Sequence, residues 1–211
     1  MLEKINQMFG TQDMTVGKPM SNLLSFSIPL LIGNFAQQMY STVDSIIVGR
    51  YVGDRALSAI GTTLPVLRLL LVLFMAVATG TGVMVAQYFG AKDRTTLSRS
   101  IGNAVTLVFA SSLMVMAIGI PLTDSLLRLT NTPVETFDLA RSYLVIMLWG
   151  TLFMGFYNIT SGVLRGLGNS VYPLMVLLLA SLLNVVLDIW FVAGLNMGVG
   201  GAALATIVSQ A

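Results

Sequence analysis

The chain of 211 residues contains no cysteine and no histidine, and only 9% of it is charged. Without cysteine there are no disulfides, no thiolate metal sites and no thiol nucleophile, and redox compartment leaves no mark on the composition. Without histidine the commonest general base and transition-metal ligand is missing, which argues against enzyme chemistry. Two carboxylates alone would need a defined substrate pocket for acid–base work. The formal net charge of +2, with no basic cluster, excludes a nucleic-acid partner. The first twenty residues contain Glu3, Gly10, Asp13 and Pro19 and no continuous apolar core, so they do not form a cleavable signal peptide.

Hydrophobic residues make up 55% of the chain and the mean hydropathy is +0.85. A soluble domain averages about 25% charged residues, so the composition is that of a membrane protein. After a polar cytoplasmic tail, residues 1–20, with one interfacial turn around Ile5 to Phe9, the transmembrane unit is residues 21–211. Five apolar runs and the start of a sixth predict an all-α membrane protein. Its expected helices are 21–49, 57–89, 96–122, 136–164, 170–194 and a shortened 198–211, with loops at Arg50 to Arg55, Gly90 to Arg99, Thr123 to Asp138 and Arg165 to Ser170. With the N-terminus inside, the cytoplasmic side collects Lys4, Lys18, Lys92, Arg94, Arg99 and Arg165. The opposite side collects Arg50, Arg55, Arg128 and Arg141, so the positive-inside rule favours a cytoplasmic N-terminus.

The residues that stand out are polar ones inside apolar runs. Asp188 and Asn184 lie four apart in LLNVVLDIW and share a helix face. An ionisable group in a span costs roughly 2.5–3.5 kcal/mol on insertion scales and by default faces protein or a wet cavity. Counting helical rise from the outer ends puts Asp44 ~6–9 Å down, Asp188 ~8 Å down and Thr206 roughly 10–13 Å down. Three helices thus bring oxygen ligands to one level, which predicts a shared site rather than an Asp44 that snorkels to the interface. The first helix repeats Asn34, Gln37 or Gln38, Ser41, and Asp44 or Ser45; the fifth repeats Ser181, Asn184 and Asp188. Such stripes predict a hydrated cavity wall. Two carboxylates brought together there titrate as a coupled pair, so a proton or small hard cation and a cationic substrate would displace one another.

Other features read as structure. Pro29, Gly33, Gly80, Gly82 and Gly119 suit bends and close helix approach, and the 13 methionines read as filler. Arg68 depends on where its helix starts: a start near Leu57 holds it ~16 Å in, and a start near Pro65 lets it snorkel, which is the expectation.

Four segments in order resemble the multidrug and toxic compound extrusion (MATE) family of secondary transporters. They are Ile28 to Gly61 with its Pro, Gln pair and helix-end Asp; Val85 to Val105; SGVLRGLGNSVYP from Ser161 to Pro173; and Leu183 to Gln210. The resemblance implies one six-helix lobe, the first, of a twelve-helix transporter. Such transporters export cationic or amphipathic organic compounds in exchange for H+ or Na+. It implies a missing second lobe, because alternating access needs two units around one site, and hence a fragment or a half that assembles with another chain. A multi-pass protein of a prokaryotic inner membrane is expected, with lipids and small organic cations as partners and no cofactor beyond the coupling ion. The resemblance places the proton or Na+ site at Asp44, Asn184, Asp188 and Thr206. It places the substrate cavity at Gln37, Tyr40, Tyr143, Asn158 and Ser181, with Tyr143 resting on resemblance alone. The competing readings are a flippase for lipid-linked saccharides or peptidoglycan precursors, which would need several cavity cations, and a non-transporting scaffold or fragment.

Overall fold

The computed structural model describes residues 19–211, all of them helix or short connection with no strand among them. Apart from Pro19 and Met20, the expected polar tail lies outside the described residues. The elements are α1 (Pro19–Tyr51), α2 (Asp54–Gly90), α3 (Arg94–Leu129), a 3-10 turn (Val134–Thr136), α4 (Phe137–Trp149), α5 (Thr151–Gly166), α6 (Val171–Asp188), a π-turn (Ile189–Gly194) and α7 (Gly198–Gln210).

Three stretches are long and apolar enough to cross a membrane: Asp54–Gly90, Arg94–Leu129 and Val171–Gly194. The segment Val134–Trp149 with Thr151–Gly166 makes a fourth if this pair, bent by 49°, is one span. The chain is therefore a multi-pass membrane protein. The 33 residues of α1 would reach about 50 Å, but its amide and hydroxyl stripe lowers its hydropathy. The 13-residue α7 is short.

Several boundaries differ from expectation. The third helix runs to Leu129 rather than ending at 122. Thr123 and Leu127, one turn apart, are both buried, while Asp124 and Arg128 take the outer side, so the supposed loop continues as an amphipathic turn of helix. There Asp124 accepts from Arg141 Nε of α4 at 2.7 Å, an exposed pair. The second helix begins at Asp54, upstream of both starts considered for Arg68, and passes through Pro65. The start near Pro65 on which the snorkelling expectation rested is not the one observed, and Arg68 lies about 21 Å along the helix by rise. The turn into α2 uses Gly53 at φ +100°, a conformation that a side chain disfavours.

The bundle is held by apolar packing and one close seam. Phe74, Leu127, Leu144, Leu148, Ile159 and Val48 are its largest fully buried apolar side chains. Where α2 crosses α5, a Cβ on Gly162 would stand 2.5 Å from the Ala78 carbonyl oxygen, and one on Gly166 would stand 2.5 Å from that of Gly82. Only glycine permits this approach. On the other side α1, α6 and α7 pack against one another, and α7 also packs on α4. That triangle positions the site.

Candidate functional site

The site is built from three helices. α1 presents Asp44 and Tyr40, α6 presents Asn184 and Asp188 on consecutive turns of one face, and α7 presents Thr206. Asn184 and Asp188 have no exposed surface and Thr206 is 6% exposed, while Asp44 is half-buried. With its amide nitrogen turned to the carboxylate, Asn184 donates to Asp188 Oδ2 at 2.7 Å, and its oxygen accepts from the Thr206 N–H at 3.1 Å. The Thr206 hydroxyl donates to the Ala202 carbonyl at 3.0 Å and accepts from the Tyr40 hydroxyl at 3.3 Å. The Asp44 and Asp188 carboxyl groups are close neighbours across the α1–α6 contact.

Oδ1 of Asp44 and Oδ1 of Asp188 are buried and have no partner. Buried polar atoms are nearly always satisfied, so two orphan oxygens from two helices are an unfilled acceptor pair. No cluster of three or more His, Cys, Asp or Glu occurs among the described residues. The donors left for a small hard cation are thus the two carboxylates, because the Asn184 oxygen is taken by the Thr206 N–H and the Thr206 hydroxyl by Ala202 and Tyr40; carboxylate oxygen is what hard cations take.

Two cavities adjoin the cluster. The larger, about 610 Å³, is walled by α1, α2, α4, α5 and α7 and includes Gln37, Tyr40, Asp44, Arg68, Tyr143 and Thr206. The smaller, about 170 Å³, lies between α1, α5 and α6 and includes Asn34, Gln37, Tyr40, Asn158, Ser181 and Arg165. The residues expected to line one substrate cavity are thus divided. Tyr143, which is 5% exposed, faces the larger space. Asn158 and Ser181 face the smaller one only, their side chains donating back to the Met154 and Leu177 carbonyls at 2.8 Å each. Gln37 and Tyr40 border both, and Tyr40, tied to Thr206, stands at the division. Asn184 and Asp188 line neither and sit behind Asp44 and Thr206. Gln210 borders both cavities and was missed; its i, i+4 relation to Thr206 was the available signal.

Immediately after Asp188 the helix widens: the Leu195 N–H donates to the Trp190 carbonyl five residues back, at 2.9 Å. π-turns of this kind are rare and frequent at functional sites. Nothing in the run IWFVAG announces it.

The chain and its fold have known counterparts. A probable multidrug resistance protein of Bacillus subtilis, YpnP, is 35% identical over 198 residues, covering 94% of this chain and 44% of its own length. The multidrug export protein MepA of Staphylococcus aureus (strain MRSA252) is 27% identical over 188 residues, covering 89% of this chain and 42% of its own. A solved outward-facing structure of a multidrug resistance MATE family transporter of the MOP superfamily superposes with a TM-score of 0.87 at 31% identity, over 92% of this chain and 43% of that one. The chain spans less than half the length of each of these proteins. The MatE family profile matches residues 29–190, and the chain belongs to that family of transporters, not enzymes.

Proposed function

We propose that this chain forms the N-terminal, six-span lobe of a secondary efflux transporter. It exports cationic or amphipathic organic compounds in exchange for H+ or Na+ at the Asp44–Asp188 pair, with a second six-helix lobe completing the machine. One observation carries this reading: two carboxyl groups from separate helices meet at the edge of a 610 Å³ cavity, each with a buried oxygen left unpartnered. A cavity of that size suits a drug-sized ligand, and among the described residues the only carboxylate lining it is Asp44.

The exchange follows from charge. When the pair holds a single proton, Asn184 and Thr206 fix the geometry of Asp188, and Asp44 is free to face the cavity. A cationic compound there supplies the counter-charge. Protonation of Asp44, or Na+ held between the orphan oxygens, removes the reason for the compound to stay. Because one site cannot satisfy both positive partners, loading one expels the other. The likeness to multidrug resistance and export proteins of bacteria supports the substrate class and a prokaryotic inner membrane, and the Lys and Arg distribution supports a cytoplasmic N-terminus.

The test is Asp44→Asn and Asp188→Asn in the full-length protein. Each change is expected to abolish coupled efflux while the protein still reaches the membrane. Unchanged drug accumulation in both variants would overturn the mechanism. Efflux driven by a sodium gradient alone and then by a pH gradient alone separates the two coupling ions.

A further inference from the structure

The proposed efflux gives work to Asp44 but none to Arg68, the other charged group of the larger cavity. Arg68 belongs to the face of α2 that lines it: Leu57, Ile60, Leu64, Arg68, Leu71 and Phe74 recur at three and four residues. The 37-residue helix is about 55 Å long and extends past both sides of a ~30 Å hydrocarbon core. Centred on that core, it holds Arg68 below the interface. A guanidinium keeps its charge there, and such a group needs a partner. Among the described residues the single ion pair is Arg141 with Asp124, on the outer surface. Among the described residues no carboxylate lies within ion-pairing distance of Arg68, and its side chain is exposed to the cavity. The Asp44 carboxyl group neighbours that of Asp188.

One cavity therefore offers a carboxylate and a guanidinium that do not neutralise each other, separated by leucine, phenylalanine and methionine side chains. We propose that Arg68 is the acid-recognition group of this cavity, so that it prefers zwitterionic aromatic amphiphiles, ammonium end toward Asp44 and carboxylate end on Arg68. The forked donors of arginine match a carboxylate with two parallel hydrogen bonds. The apolar wall between the two charges accommodates the body of the ligand. A purely cationic compound uses Asp44 alone and leaves Arg68 hydrated.

This inference rests on the larger cavity being the substrate chamber proposed above, and two probes separate the claims. Rhodamine 110 carries a free carboxylate; rhodamine 123 is its methyl ester, of nearly the same shape and without the negative charge. Binding of each to the purified full-length protein in lipid nanodiscs is read by fluorescence polarisation. Arg68→Gln is expected to weaken rhodamine 110 by tenfold or more and rhodamine 123 by less than threefold, with Arg68→Lys between wild type and Gln for rhodamine 110. Retained rhodamine 123 binding shows that the variant is folded. Equal weakening of both dyes, or no change in either, overturns the role of Arg68. Asp44→Asn reports on the chamber itself: it is expected to weaken both dyes, and if it weakens neither, the chamber assignment fails whatever Arg68 does.

Discussion

Asn184 is the residue on which the site's geometry turns. It is fully buried, donates to Asp188 and accepts from the α7 backbone, so it ties two helices together and aims one carboxylate. Replacing it with alanine strands a buried carboxylate oxygen, and leaving such a group unsatisfied costs about 1–3 kcal/mol. Asn184→Ala is therefore expected to lower the detergent-solubilised melting temperature measurably, whereas Ser181→Ala, one turn earlier and bonded only to its own helix, is expected to change it little. Equal melting temperatures for the two variants would show that Asn184 is not a strut. The four oxygen-bearing residues Asp44, Asn184, Asp188 and Thr206 were legible because depth within a span can be counted from its end. Arg68 was not, because its depth hung on a helix start that Pro65 obscured. A proline inside a membrane helix is tolerated when neighbouring groups serve the freed carbonyl, and sequence does not reveal those neighbours.

Elements were legible where hydropathy was continuous and illegible where tertiary contact decides. The fourth run reads as one helix, yet the chain bends by 49° at Gly150, where the Ile207 side chain of α7 fills the space that a Cβ would need. Glycines look alike in sequence but not in the bundle. Gly162 of α5 sits on the α2 backbone, whereas Gly80 of α2, which also reads as a close-approach glycine, has open space around it. Gly162→Leu is expected to prevent the α2–α5 approach and yield unstable or aggregated protein on size-exclusion chromatography. Gly80→Ala is expected to be neutral or to stabilise by about 0.5–1 kcal/mol through helix propensity. Identical behaviour would mean that the seam is not tight. At the start of α3, Asp93 caps the helix, accepting from the Thr96 hydroxyl at 2.6 Å and its N–H at 3.0 Å. The Thr96 hydroxyl first, and its N–H second, hold the Asp93 carboxyl below the ordinary carboxylate range. A lowered folded value means that the cap is intact above about pH 3.9, the ordinary aspartate value, and fades as pH falls through the lowered one. Carboxyl carbon shifts followed by NMR are expected to show Asp93 titrating below a free aspartate; an ordinary midpoint would remove the cap.

At the scale of the molecule the question is which faces meet lipid and which meet water. α3 answers for lipid: Leu107, Phe109, Leu113, Met114 and Ile118 are exposed and apolar. α1 does not, since Asn34, Gln37, Gln38 and Ser41 are exposed beside Leu31, Phe35 and Met39. Exposed amides cannot face hydrocarbon without cost, so the polar side of α1 must open on water or on another protein body. Its low hydropathy is the signature of a cavity wall, not of a failed span. These 211 residues contain no cysteine, so within them an introduced thiol meets no native competitor. Single substitutions Gln37→Cys, Ser41→Cys, Leu107→Cys and Met114→Cys in the full-length protein, probed with a hydrophilic charged methanethiosulfonate, are expected to divide sharply. The α1 pair should react at least tenfold faster than the α3 pair, because only thiolate in contact with water attacks the reagent. An added cationic substrate should slow Ser41→Cys, whose neighbour Asp44 would then be covered. Comparable rates on both helices would place the α1 stripe in lipid or in a dry interface, and the exchange of ion for compound at Asp44 would lose its wet path.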